Sequence, residues 1–237
     1  MEYKFDRFID ELNKISVELS EKQLEQFRIY YEMLVEKNKV MNLTGITEWD
    51  EVLEKHFLDS ISLIRAIDLN QEISVMDMGT GAGFPGIPLK IAFPKLKVTL
   101  ADSLNKRVLF LQEVIDALGL EGVEAIHGRA EDLARDKNYR EQYDLSVSRA
   151  VANLSTLTEY CLPFVKIGGQ FISYKSGEIE EETAASKSAV FLLGGKVKDV
   201  VKFELGESKR SFIVIDKVKG TPKTYPRKAG TPSKKPL

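Results

Sequence analysis

The stretch from Ile73 to Gly86 constrains this chain more than any other. Ile73-Ser74-Val75-Met76-Asp77-Met78 reads as a short strand and runs directly into Gly79-Thr80-Gly81-Ala82-Gly83-Phe84-Pro85-Gly86. A helix follows, with Pro88 tolerated in its first turn. Three glycines within five positions, between a strand and a helix, point to a backbone that turns tightly beside a ligand. Further strands are expected at Lys97–Ala101, Val123–Ile126, Asp144–Ser148 and Gln170–Tyr174, with helices between them. One of these helices carries the stripe Leu104, Val108, Leu111, Ile115 and Leu118, and Gly119 stops it. The pair Gly168-Gly169 reads as the turn into the fifth strand. Such alternation implies right-handed βαβ units and a mostly parallel sheet. After a helix from about Glu178 to Leu193, Val197–Leu205 and Ser211–Asp216 are separated by a short polar turn, which predicts a closing antiparallel hairpin.

Residues 1–70 read as helices packed on this core. Ser20-Glu21-Lys22-Gln23 is a capping box, and Leu24, Phe27, Tyr31 and Leu34 follow at helical spacing. Thr47–Asp50 looks like a second capped start, from which Val52, Leu53, Phe57, Leu58, Ile61 and Ile64 continue an apolar face. Residues 71–219 form the expected α/β domain, and 220–237 a basic, proline-rich tail.

Charge and cysteine usage narrow the function classes. The 237 residues carry 34 basic and 36 acidic side chains, a net of -2. Seven of the basic residues and no acid lie from Lys217 onward, so the remainder has a net charge of -9. The body therefore repels a polyanion while the tail attracts one; a solvated terminus is the alternative for such a segment. A single cysteine, Cys161, and two histidines, His56 and His127, exclude disulfides, cysteine-based zinc sites and histidine-rich metal sites, so no metal is expected. No apolar run approaches the roughly 18 residues of a membrane span, and the acidic, amphipathic N-terminus is not a signal peptide. A cytoplasmic protein without membrane or DNA partners, and monomeric, is expected.

Three ligand chemistries compete for the glycine loop. A phosphate-binding P-loop needs Lys-Ser/Thr where Ile87-Pro88 stands. A dinucleotide fingerprint is matched literally by Gly81-Ala82-Gly83-Phe84-Pro85-Gly86, but Pro85 removes an amide that would hold the pyrophosphate. The third reading starts from the acid. Asp77 at the strand end suits a cationic ligand, and Asp102, 23 residues after Gly79 at the end of the second strand, suits a pair of ribose hydroxyls. S-adenosylmethionine has both features, and the hairpin finish agrees. The fold class is therefore α/β, a Rossmann-like S-adenosylmethionine-dependent methyltransferase sheet, mostly parallel with an antiparallel C-terminal hairpin and N-terminal helices.

In order along the chain, Asn42-Leu43-Thr44, His56-Phe57-Leu58-Asp59-Ser60, the Asp77–Gly86 loop, Arg129-Ala130-Glu131, Ser148-Arg149-Ala150 and Thr221-Pro222-Lys223-Thr224-Tyr225-Pro226-Arg227 resemble the bacterial RsmG family, also called glucose-inhibited division protein B. The resemblance spans nearly the whole chain. It implies methylation of N7 of one guanine in 16S ribosomal RNA, on the RNA or on a small-subunit particle. It also implies that Gly79 and Phe84, with Asp77 and Gly81 of the same loop, line the cofactor. Asp102 would face its ribose, Ala130 and Glu131 its adenine, and Arg149, also a cofactor-binding residue, would lie between cofactor and substrate. Glu131 has a second reading as a helix-dipole partner.

The residues fit such a target. Guanine N7 has an in-plane lone pair and no proton to remove, so alignment alone suffices and no general base is expected. The Pro-Pro box used on exocyclic amines is missing after the fourth strand, where Ser148-Arg149-Ala150-Val151 stands, and Cys161 sits in an apolar helical stretch. His56 reads as a buried hydrogen-bonding residue, and His127 as a strand end near the cofactor. Arg149 and Lys175, at the ends of strands four and five, are the candidate positioning residues for catalysis. Lys175, Tyr225, Arg227 and Lys228 are the candidate RNA contacts, with Tyr225 either stacking on a base or docking the tail on the body. A small-molecule methyltransferase, a non-catalytic S-adenosylmethionine-binding regulatory module and a dehydrogenase are the alternatives; the basic tail disfavours the first, and the hairpin, Asp77 and Pro85 the last.

Overall fold

The computed structural model describes residues 3–149, 152–177 and 179–237. The N-terminal segment is helical: α1 (Asp6–Asn13), α2 (Glu21–Met41) and α3 (Trp49–Val52), a π-helical turn over Leu53–Leu58, then α4 (Asp59–Ile61). The capping box forms as read, with Ser20 Oγ accepting from Gln23 N and the Gln23 side chain accepting from Ser20 N. Thr47 does not cap α3; its carbonyl instead accepts from the Tyr31 hydroxyl. The π turn has a legible cause. The buried pairs Val52/Phe57 and Leu53/Leu58 are spaced five apart, and a wider turn brings both onto the core.

The described residues then build a seven-stranded sheet. Its strands are β1 (Ser74–Met78), β2 (Lys97–Asp102), β3 (Val123–His127), β4 (Tyr143–Arg149), β5 (Val165–Ser176), β6 (Gly195–Leu205) and β7 (Ser208–Lys217), in the order β3-β2-β1-β4-β5-β7-β6. The first five run parallel, and β7 is antiparallel to both β5 and β6. Helices α5 (Gly86–Ala92), α6 (Asn105–Leu118), α7 (Ala130–Leu133), α8 (Leu154–Cys161), α9 (Glu180–Ala185) and α10 (Lys187–Leu192) connect the strands, and α11 (Thr231–Lys234) ends the chain. Three expectations change. Gly168 and Gly169 lie inside β5, where the register against β4 shifts, so they form a bulge rather than a turn. The helix expected from Glu178 is two short helices; Glu178 itself, like Ala150 and Val151, is outside the described residues. The buried face of α6 is Phe110, Leu111, Val114, Ile115 and Leu118, while Leu104 is 44% exposed at the edge of a cleft. No helix among the described residues is long and apolar enough to cross a membrane.

One apolar core runs from Phe8 through α2 and the π turn into the sheet, so the N-terminal helices share the core of the α/β unit. Phe27, Tyr30, Phe57 and Phe84 interlock, with Tyr30 stacked on Phe57 at 5.5 Å from Phe84. The Tyr30 hydroxyl donates to Ala82 O at 2.7 Å, fixing the glycine loop from below.

The tail is docked along the body, which sets aside the alternative of a solvated segment. Arg140 donates to the carbonyls of Thr221, Pro222 and Tyr225, Arg135 to that of Pro226, and Thr156 to that of Pro232. Arg227 pairs with the buried Glu159 through its guanidinium at 2.7 Å and its backbone N–H at 2.6 Å. Lys217 is buried, donating to Leu162 O and Thr221 Oγ1, and burial pushes its ammonium down to about 8. These anchors are available because the proline-punctuated segment keeps its carbonyls out of a helix, where side-chain donors reach them. Arg227→Ala should destabilise the fold by about 3 kcal/mol, because it leaves the Glu159 carboxylate buried without its cation. Urea denaturation reads this; an unchanged midpoint would show that the pair contributes nothing.

Candidate functional site

Two clefts open at the C-terminal edge of the sheet, where ligands bind in folds of this kind. The first, about 340 Å³, is lined by Gly79, Ser103, Leu104, Ala130, Glu131 and Gly230, among others. The second, about 460 Å³, lies over the ends of β4, β5 and β7 and includes His56, Asp59, Arg149, Lys175, Phe203 and Arg210. Phe84 of the glycine loop connects them: its ring stacks on His56 at 4.5 Å and carries the Arg149 guanidinium 5.0 Å from its centroid.

The glycine loop is held shut by Asp77. This carboxylate is fully buried; Oδ2 accepts from Thr80 Oγ1 at 2.6 Å and from Gly86 N at 2.8 Å. Burial pushes it up to about 7, against the pull of those two donors. A Cβ on Gly86 would lie 2.2 Å from Leu100 and 2.8 Å from Asp77 Oδ2, so only glycine lets the helix start this close to β1. The other loop amides are also engaged. Gly79 and Thr80 donate to Ala101 O, Gly81 to Asp102 Oδ2, and Gly83 and Phe84 to Thr80 O. The sequence reading placed Asp77 against a cationic ligand; its Oδ2 clasps the loop, while its Oδ1, also buried, has no hydrogen-bond partner among the described residues. The same geometry speaks against a dinucleotide, whose pyrophosphate needs amides aimed outward.

Asp102 ends β2 with 3% exposure. Its oxygens accept from Gly81 N at 3.0 Å and Leu104 N at 2.9 Å, with Arg107 Nη1 at 3.4 Å. A carboxylate has about four acceptor positions, so capacity for about one further donor remains. Ala130 starts α7 on the cleft wall. Glu131 does not reach into the cleft freely: its Oε1 accepts from Gly230 N at 2.8 Å and ties the tail to the body. The tail thus forms part of the first cleft through Gly230 and Ser233. His127 Nε2 donates to Ser103 O, 3.1 Å away, on the exposed rim.

In the second cleft, Arg149 Nη1 donates to Asp59 Oδ2 at 2.7 Å and to Lys55 O at 3.2 Å, while Nη2 lies 3.3 Å from His56 Nδ1. His56 Nε2 is 2.7 Å from Thr44 Oγ1. Desolvation, with Arg149 adding to it, pushes the imidazole down to about 4, so the ring is neutral at ordinary pH. Lys175 donates to Glu182 and to Ala152 O. Cys161 is buried, and burial pushes its thiol up. Of the tail candidates, Arg227 is committed to Glu159 and Tyr225 packs on the apolar cluster under α8, whereas Lys228 is exposed. The sequence reading had no role for Asp59 or Arg210. Asp59 lies in a quoted motif beside His56, but nothing local marks Arg210, which meets Asp59 from 151 residues away.

The comparisons agree with this architecture. A family model described as rRNA small subunit methyltransferase G matches residues 23–213. A relative from Lachnoclostridium phytofermentans, named ribosomal RNA small subunit methyltransferase G, is 54% identical over 232 residues, covering 97% of this chain and 96% of the relative. One of the same name from Alkaliphilus metalliredigens is 52% identical over 96% of both chains. In fold, the chain resembles a SAM-dependent methyltransferase from Aquifex aeolicus, with a TM-score of 0.54 at 20% identity over 76% of this chain and 97% of that one. It also resembles TrmN from Thermus thermophilus, with a TM-score of 0.54 at 19% identity over 70% and 53% of the two chains. With a matching model over most of its length and near-full-length relatives at about half identity, the chain belongs to the rRNA small subunit methyltransferase G family.

Proposed function

We propose that this protein transfers the methyl group of S-adenosylmethionine to N7 of a specific guanine in 16S ribosomal RNA, as RNA or small-subunit particle, acting as a monomer in the cytoplasm. The observation that supports this most is the pairing of a small-residue cleft behind a clasped glycine loop with a cation-lined cleft, and no reactive base or nucleophile between them among the described residues. His56 is neutral and engaged, and Cys161 is sealed in the core.

The first cleft fits the cofactor. Gly79 and Ala130 leave room for a flat ring, the exposed Leu104 offers an apolar face, and Asp102, next in the chain to the cleft residue Ser103, is the acceptor at the strand end. Asp77 and Gly81 contribute through the loop's shape, Phe84 through its ring, and Glu131 by fixing the tail beside the cleft. When bound, S-adenosylmethionine supplies a methyl group on a sulfonium, an electrophile that a neutral lone pair attacks directly. The chain's task is then orientation and exclusion of water. Arg149 is the positioning residue at the junction of the clefts, and Lys175 supports the second cleft's rim. On the tail, the exposed Lys219, Lys223, Lys228, Lys234 and Lys235 are the phosphate contacts, while Arg227 and Tyr225 serve RNA binding by holding them in place.

Asp102→Ala should weaken S-adenosylmethionine binding by about 1.5–3 kcal/mol through loss of charge-assisted hydrogen bonds. Calorimetry with S-adenosylmethionine and NAD in parallel tests this; tight NAD binding or an unchanged affinity for the variant would sink the assignment. Methylated RNA should carry N7-methylguanine at one site, mapped by reduction and aniline cleavage. The rate of the chemical step should be flat around neutrality because no enzymic base takes part. A product methylated on an amine or ribose, or a chemical step that follows a base near neutrality, is the contrary result.

A further inference from the structure

The second cleft is built around one carboxylate shared by two arginines. Asp59 is 5% exposed; its Oδ2 holds Arg149 at 2.7 Å and its Oδ1 holds Arg210 Nε at 3.0 Å. The three residues come from α4, β4 and β7, so the arrangement exists only in the folded chain. Removing ions from water for stability alone is a poor bargain, and apolar residues fill such a space as well or better. The rest of the cleft has the same sign. Lys55, Arg149, Lys175 and Arg210 face Asp59 and Glu182, with His56 neutral, in a protein whose overall charge is negative.

Three of the cleft's four carboxylate oxygens are already engaged. Both Asp59 oxygens hold arginines, and Glu182 Oε1 accepts from Lys175 and Leu154 N. Donors remain: Arg149 Nε and Arg210 Nη2 have no hydrogen-bond partner among the described residues. Ser211 Oγ, in a residue 2% exposed that lines the same cleft, also has none. A pocket rich in unmatched guanidinium donors, walled by Phe203 and Phe212, calls for an anion that carries a flat ring.

We infer that Arg149 and Arg210 form a clamp for the phosphodiester of the acceptor nucleotide, and that Asp59 is the positioning residue that sets both guanidiniums. The inference rests on the RNA-methylation reading above. Its role for Asp59 is orientation: with one carboxylate between them, two like charges sit side by side and present their remaining N–H groups to the cleft, next to the Phe84 ring that borders the cofactor loop.

The test uses the full-length protein with small-subunit ribosomal RNA. Arg210→Ala should raise the KM for RNA roughly tenfold or more, with S-adenosylmethionine affinity by calorimetry within about twofold of the parent. It should also flatten the slope of log KM against log salt by about 0.7, the signature of one lost phosphate contact on a single strand. Asp59→Asn should raise KM for RNA in the same direction while thermal unfolding stays cooperative; if that variant fails to fold, Arg210→Ala, at a more exposed position, decides alone. A merely structural ion pair would change unfolding but leave the salt slope at the parent value, and that result overturns the clamp. If the parent protein transfers no methyl group to this RNA, the methylation reading falls and the clamp with it. If it does and Arg210→Ala keeps the parent KM and slope, only the clamp falls.

Discussion

The buried carboxylate of Asp77 holds the working edge of this protein together. By accepting from Thr80 Oγ1 and Gly86 N it joins the end of β1 to the start of α5 and closes the glycine loop around itself. A buried carboxylate is unfavourable unless donors meet it, and the loop meets one of its oxygens with a side-chain hydroxyl and a helix-start amide while burial pushes the group up to about 7. The loop residues beside the clefts are placed from this point. Gly79 opens the first cleft, Gly81 is tied to Asp102, and Phe84 is thrown toward Arg149.

The loop is supported from two directions that a minimal α/β sheet would lack. Below it, the N-terminal helices supply an aromatic floor, with Tyr30 hydrogen-bonded to Ala82 and His56 stacked on Phe84. Beside it, the C-terminal segment is fastened by Arg227 to Glu159 and by Gly230 to Glu131, and it completes the first cleft. Both ends of the chain therefore converge on the same edge. The π turn is part of this convergence, because it lets Phe57 and Leu58 stay in the core while His56 and Asp59 reach the second cleft.

Local pattern was sufficient for most of the fold. The strands of the parallel sheet, the capping box of α2 and the hairpin of β6 and β7 were legible because period, caps and turns act between near neighbours in sequence. The misreadings share a cause. Gly168 and Gly169 look like a turn until the register with β4 is known, and Thr47 looks like a cap although the helix starts one residue later, with Glu48 at its cap. A solvated tail stood as an alternative because its charges were counted without their partners, Glu159 and Glu141, which lie elsewhere in the chain.

For the site, the division is similar. The glycine loop, Asp102, the Arg129-Ala130-Glu131 run and Arg149 at a strand end were visible in the chain itself, since strand ends in a parallel sheet collect on one edge. The direction each side chain takes was not. Asp77 turns inward because the loop's donors surround it, and Glu131 turns to the tail because Gly230 offers an N–H there. Asp59, Arg149 and Arg210 meet only when a helix, a central strand and the closing hairpin are packed together. Sequence determines which elements form and where they end, because those rest on contacts within a few residues. Which charges face each other, and which are left to face a ligand, depends on separations of tens to hundreds of residues that only the tertiary structure closes.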